Sequence, residues 1–249
     1  MEDYIRRFSY DGTLEGFLCT ALRILRVKTM PDEICPEYRA DVTAGYVPVT
    51  TSASEAEYMF SLIGRRGSSE VQQMVTDLFL TDTPDMEKLL FEMIYLALRD
   101  GGKIAEDYSS DVMHRVHEAI RDLYREAQAL LVNIEFFRGP EASCAVIDPH
   151  NSVLPLIRKP LLKRMDLDDL IIFDKRHFLM LGRKGESDML SDIRRISLTM
   201  PDTGEEAYDV LWPAVKGAKF DVRFAGVSAA SAMRPARHRE YEPLWSTAC

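Results

Sequence analysis

Asp148-Pro149-His150-Asn151 puts a carboxylate, an imidazole and an amide within four residues, directly after the apolar run 142–147. Pro149 fixes its own φ and biases Asp148 towards extended backbone. His150 is therefore expected to emerge at the end of a strand, where side chains commonly line a site. A neighbouring carboxylate can orient or charge the imidazole, as general acid–base work requires. The alternative is a structural turn in which Asp148 and Asn151 bond local backbone amides. A second polar group, Asp174-Lys175-Arg176-His177, joins two apolar segments and reads most simply as the tip of a hairpin.

Other spacings are less telling. His114 and His117, followed by Glu118, make HxxHE, which is neither HExxH nor HxxEH and comes with no third ligand. Ordinary surface or boundary histidines are expected there, and no metal. The four cysteines, Cys19, Cys35, Cys144 and Cys249, are far apart and form no CxxC. Buried reduced thiols are expected rather than a zinc or iron–sulfur site. No Gly-rich phosphate loop, GxSxG elbow or nucleotide fingerprint is present, and Gly182-Arg183-Lys184-Gly185 reads as a loop.

The elements that must position these groups follow from period and punctuation. Residues 4–10 read as a strand closed by the Asp11-Gly12 turn. Thr13 caps a helix to about Val27 with Leu14, Leu18, Ala21, Leu22 and Leu25 on one face. Residues 28–53 hold three prolines and one strand at Gly45–Val49. A capping-box spacing at Ser54–Glu57 opens a helix expected to stop at Gly64. Ser68 or Ser69 opens the next, Thr83-Pro84 a third that ends before Gly101-Gly102, and a fourth runs from about Asp111 to Leu131.

The period then changes. Val132, Ile134 and Phe136 alternate with polar residues as in a half-buried strand, and Gly139-Pro140 turns the chain into a partner at 142–147. A short helix over 153–165 is expected, then a hairpin from Leu170–Phe173 and Phe178–Leu181, and a further strand at Ile193–Leu198. A last helix from Gly204 to about Lys216 should kink or end at Pro213. The chain is thus expected to be α+β, a helical block followed by a mainly antiparallel sheet with flanking helices. Three parts are expected: 1–53, a strand–helix segment that packs on the sheet; 54–131, helical; and 132–249, the sheet with a basic C-terminal segment.

With 249 residues, a net charge of −9 and a pI near 5.2, the chain has the wrong sign to grip nucleic acid with its whole surface. The charge is uneven, however, with basic clusters at 158–164 and 216–239 and acidic residues concentrated before 130. No apolar run approaches the roughly 20 residues needed to span a membrane. The N-terminus lacks the order of a signal peptide, so a cytoplasmic protein is expected.

The succession of segments resembles a known family. Tyr10-Asp11-Gly12-Thr13-Leu14-Glu15-Gly16-Phe17-Leu18 is similar to the YDG(S/T)xxGFL opening of a bacterial family described as "probable DNA metabolism protein". The resemblance continues at Arg125-Glu126-Ala127. It continues again at Asp148-Pro149-His150-Asn151-Ser152-Val153-Leu154-Pro155-Leu156, close to a PxHxxLPLL-like segment. Ile172-Phe173-Asp174-Lys175-Arg176 is similar to the family's (W)xIxDxxR segment, and Leu211-Trp212 to its later LW. Two departures stand out. Arg125-Glu126-Ala127-Gln128-Ala129-Leu130 replaces the usual REAHRM, and Met233-Arg234-Pro235-Ala236-Arg237-His238 replaces an MPKRYW-like segment without its aromatic pair. A divergent member, inactive or specialised for another substrate, would look like this.

The resemblance implies a DNA-repair or base-modification protein. Family members are often encoded beside a radical-SAM enzyme of DNA repair or modification, and a related domain extends some uracil-DNA glycosylases. A radical-SAM or DNA-glycosylase partner protein is therefore expected, together with DNA. Asp148, His150, Asp174 and Arg176 would be the polar, catalytic groups of a site at the sheet edge. Arg158, Lys159, Lys163, Arg164, Arg223, Arg234, Arg237 and Arg239 would contact phosphates. The chain has no radical-SAM CxxxCxxC motif and no complete glycosylase signature, so the sequence assigns no reaction and makes no cofactor evident. Two other classes fit the composition: a non-catalytic adaptor docking through its acidic helical block, and a small-molecule enzyme unrelated to DNA.

Overall fold

The first twenty residues show how local chemistry fixes the chain's course. Strand β1 (Arg7–Tyr10) runs into Asp11, whose Oδ1 accepts the Thr13 backbone N–H at 2.9 Å and its hydroxyl at 2.6 Å. Gly12 takes the left-handed φ of 84° that this turn requires. Thr13 then caps helix α1 (Leu14–Val27), its hydroxyl accepting the Gly16 N–H at 2.9 Å. The other carboxylate oxygen of Asp11 accepts the Thr51 hydroxyl at 2.7 Å. The YDGT segment is thus a strand-to-helix joint.

The computed structural model describes residues 6–41, 43–164, 169–194 and 200–217. Strands β2 (Glu33–Pro36) and β3 (Val47–Pro48) flank β1 on either side, both parallel to it. Strand β1 therefore builds a three-stranded sheet with β2 and β3, separate from the C-terminal one. Helices α2 (Ala53–Arg66), α3 (Ser69–Phe79) and α4 (Met86–Asp100) follow, then a 3-10 turn and α5 (Asp111–Asn133). The cap of α2 is Ser52, not Ser54, because Ser52 stands three residues before Glu55 and accepts its N–H. Nor does Gly64 end that helix. The side chain of Gln72 packs where a Gly64 Cβ would lie, so this glycine permits close approach of α3 within the helix.

The second sheet has the order β4-β5-β6-β7-β8, from β4 (Phe137–Arg138), β5 (Ser143–Ile147), β6 (Leu170–Asp174), β7 (Leu179–Lys184) and β8 (Ser187–Asp192). It is antiparallel except for the pair β5 and β6, which are parallel and joined through helix α6 (Leu154–Arg164). The architecture is α+β. The strand expected through 132–136 does not form: 132 and 133 end a helix, 134–136 belong to no regular element, and the strand is only Phe137–Arg138. Helix α5 continues to Asn133, whose side-chain amide donates to Ala129 O at 2.9 Å, and Val132 is 66% exposed. Residues 182–184 belong to β7, and Gly185, at φ 58°, makes the turn with Glu186. The strand expected at 193–198 lies one step earlier, as β8, and 195–199 fall outside the described residues.

Helix α7 (Gly204–Gly217) carries Pro213 inside it without ending there. Groups on both flanks hold it: Trp212 Nε1 and Lys216 Nζ each donate to the Glu141 carboxylate at 2.7 Å. Leu211 and Val215 are buried against the sheet as well. Such contacts outweigh the roughly 3 kcal/mol that an interior proline costs a helix.

Three buried clusters result. One joins β1, β2, α1 to α4 and the first half of α5. A second lies between the second half of α5, α6 and one face of the second sheet, where Ala145, Ile147, Leu170 and Ile172 point. The alternate residues Cys144, Ile171 and Phe173 face α7 in the third. Among the described residues no helix is long and apolar enough to cross a membrane.

Candidate functional site

The one parallel pair in the second sheet decides where polar groups collect. A crossover connection leaves a crevice beyond the carboxyl ends of its strands, where ligands commonly bind. Here those ends are Ile147 and Asp174, which are register partners, and Lys175 N donates to Ile147 O at 3.0 Å. Asp148 leaves β5 at this point. Its Oδ1 accepts from Arg176 Nε at 3.0 Å, and Lys175 Nζ lies 3.8 Å from its Oδ2. The fold therefore brings Asp148, Asp174 and Arg176 together from two segments 26 residues apart, Asp148 to Asp174.

The loop after Asp148 is held from outside the sheet. Glu126 of α5 accepts the His150 N–H with Oε1, and with Oε2 it accepts Asn151 N and Asn151 Nδ2, both at 2.8 Å. Asn151 Oδ1 in turn accepts Asp82 N at 2.9 Å, and Ser152 N donates to Leu80 O at 2.8 Å. Asn151 is thus a buried three-way junction between α5, the α3–α4 connection and the site loop. His150 is fixed by its backbone but not by its ring. The ring is 64% exposed, and its Nδ1 stands 4.0 Å from Asp82 Oδ2, beyond hydrogen-bond reach.

Asp174 is the opposite case. Its side chain is fully enclosed; Oδ1 accepts the N–H groups of Arg176 at 3.1 Å and His177 at 3.0 Å, and Oδ2 meets His177 Nδ1 at 2.8 Å. It cannot touch a ligand directly and acts only through these partners. Sequence reasoning missed Glu126, Asp82 and His177 as parts of the site. Glu126 stood in the Arg125-Glu126-Ala127 segment, and His177 directly follows Arg176, so the signals were present as positions without a stated role.

Beside the site, the end of α5 and the end of β5 border an open cleft of about 460 Å³. Leu130, Ile134 and Ile147 give it apolar walls, and Glu126, Glu135 and Asp148 line it with carboxylates. The C-terminal end of α5 adds its negative dipole end. A phosphate would be repelled here, so cations elsewhere must carry any phosphate contact. Lys159, Lys163 and Arg164 of α6 are exposed, while Arg158 is engaged with the Asp188 carboxylate and its side chain is only 29% exposed. Arg223, Arg234, Arg237 and Arg239 lie outside the described residues.

His114 and His117 each have a partner of their own. His114 pairs with Glu118 at 3.7 Å, and His117 stacks on Tyr108 with ring centroids 4.6 Å apart. Among the described residues no group of three or more His, Cys, Asp or Glu is placed to hold a metal ion. Cys19, Cys35 and Cys144 are buried and unbridged, and burial pushes the Cys144 thiol up to about 12.

Compared with known families, the chain matches over residues 84–246 the domain of unknown function DUF4130. The matched stretch takes in α4, α5 and the whole second sheet with its site. No curated protein and no solved structure matches.

Proposed function

We propose that this chain, which belongs to the DUF4130 family, is a DNA-repair or base-modification protein that works with a separate catalytic enzyme, of radical-SAM or glycosylase type by resemblance. One observation carries the reading. The polar site lies at the carboxyl ends of β5 and β6, and the crossover helix α6 leads away from it along the sheet, carrying exposed Lys159, Lys163 and Arg164 towards the start of β6. Lysines and arginines at such positions bind the DNA backbone without reading sequence. The acidic, partly apolar cleft then faces the groups that carry no charge, the base and the sugar, while the α6 cations take the phosphates.

The test is binding of the purified full chain to single- and double-stranded DNA across a salt series. Each cation seated on a phosphate contributes roughly 0.9 to the logarithmic salt slope on duplex and roughly 0.7 on single strands. Replacing Lys159, Lys163 and Arg164 together by alanine should lower that slope by roughly two to three and weaken binding to all sequences alike. A slope unchanged by the triple replacement removes α6 from the interface. A second reading draws on the cleft itself, whose volume of about 460 Å³ suits a small molecule. It predicts binding that is absent or flat with salt.

A further inference from the structure

Two histidines stand near the candidate site, and they are built differently. His150 has an exposed ring with no acceptor among the described residues close enough to fix its tautomer. His177 has a ring only 20% exposed, bonded at Nδ1 by a carboxylate that is itself fully enclosed. The hairpin tip accounts for one oxygen of Asp174, which accepts two backbone N–H groups in an ordinary Asx-type turn. It does not account for the other oxygen, which is spent on an imidazole. A carboxylate at Nδ1 makes that nitrogen the protonated one and leaves the lone pair on Nε2. The next residue, Phe178, is held at φ 56°, a left-handed conformation unfavourable for a bulky side chain, and its carbonyl accepts Ile193 N at 2.8 Å. Strain of this kind persists where surroundings over-determine it, and it collects at functional sites.

We propose that His177, positioned by Asp174, is the proton-transfer residue of this site, and that His150 is not. Nε2 of His177 takes a proton from, or returns one to, a bound DNA strand or a water beside it. Asp174 never meets the ligand; it sets the tautomer and the ring's direction, as the buried acid of a carboxylate–histidine pair does. This inference rests on the DNA reading above.

The experiment is nitrogen-detected nuclear magnetic resonance of the imidazoles in the full chain, with and without a mixed-sequence single-stranded oligonucleotide. Diethyl pyrocarbonate modification is followed in parallel. His177 should appear as the Nδ1–H tautomer, and Asp174→Asn should convert it to Nε2–H by presenting an amide donor. Saturating oligonucleotide should shift the His177 resonances and protect it from modification severalfold, leaving His150 much less affected. An Nε2–H tautomer in the wild-type chain overturns the proposal. So does a bound oligonucleotide that neither shifts nor protects His177, which would leave a purely structural hairpin clamp. No binding by any oligonucleotide removes the DNA reading, and this role with it.

Discussion

At the scale of single residues, burial decides which ionisable groups behave unusually. Asp77 of α3 is 4% exposed, with Gln73 Nε2 donating to one oxygen at 2.8 Å and Tyr124 OH to the other at 2.9 Å. Desolvation pushes its carboxyl up to about 7, and the Gln73 amide only partly opposes this. An unfolded Asp77 ionises near pH 4. Between about pH 4 and 7 the unfolded chain therefore binds fewer protons than the folded one, and stability falls as pH rises. The loss is complete above about 7 and is of the order of 4 kcal/mol at most. Asp77→Asn keeps the shape and removes the titration. Denaturant midpoints for this variant should exceed the wild type at pH 8 and converge with it at pH 4. Equal midpoints at pH 8 would show that the carboxylate is ionised in place at no cost. Glu87 is a related case, pushed up by burial but held down by the Arg39 guanidinium, so its contribution to pH dependence is smaller.

At the scale of elements, the joint between β1 and α1 depends on a missing side chain. A Cβ on Gly16 would lie 2.2 Å from Asp11 Oδ1 and 2.9 Å from Thr51 Oγ1. Asp11 cannot simply swing aside, because its oxygens already hold Thr13 and Thr51. Gly16→Ala should therefore cost roughly 1–3 kcal/mol through displacement of the cap and overpacking. A thermal midpoint equal to wild type would show that Asp11 has another resting place. This joint was legible because its parts are consecutive: the turn, the cap and the helical period sit within ten residues. The same holds for α3, α5 and α6 and for the β6–β7 hairpin. Elements that depend on distant partners were not legible. Strand β2 exists only because β1 pairs with it, Arg7 opposite Glu33, and nothing in Glu33–Pro36 announces that. The alternation at 132–136 misled because Ile134 and Phe136 pack on the second core from the segment after α5 without pairing in a sheet, while Val132 still belongs to the helix and is exposed. The site shows the same division. Asp148, His150, Asp174 and Arg176 stood out as polar residues at apolar ends, whereas Glu126 and Asp82 reach Asn151 from 25 and 69 residues away.

At the scale of the whole molecule, α5 is the member that both halves share. Met113, Val116 and Ala119 pack in the core of the N-terminal sheet and helices, while Leu123 and Ala127, two turns on, pack under the second sheet. Asn151 ties the site loop to the α3–α4 connection, and the Arg194 guanidinium lies 4.9 Å from the centre of the Tyr38 ring. The region that matches the family begins at residue 84, inside this shared construction. Leu89, Leu90, Phe91, Met93, Ile94 and Ala97 of α4 are all buried in the first cluster, where α4 packs on α2, α3 and β2 as well as on α5. A fragment of residues 84–249 would expose that face, and burying a large apolar side chain is worth about 1.5–3 kcal/mol. The fragment should therefore associate or bind hydrophobic dye, and it should lack a single cooperative unfolding transition although it contains every described residue of the second sheet. Circular dichroism with thermal denaturation and dye binding measures this directly. A monomeric fragment with a sharp transition would mean that α4 and α5 suffice for the sheet, and that residues before 84 are an addition to a self-sufficient unit. If the fragment fails as expected, Asn151 and Glu126 are held in place only when the N-terminal half is present, and the site is a property of the whole chain.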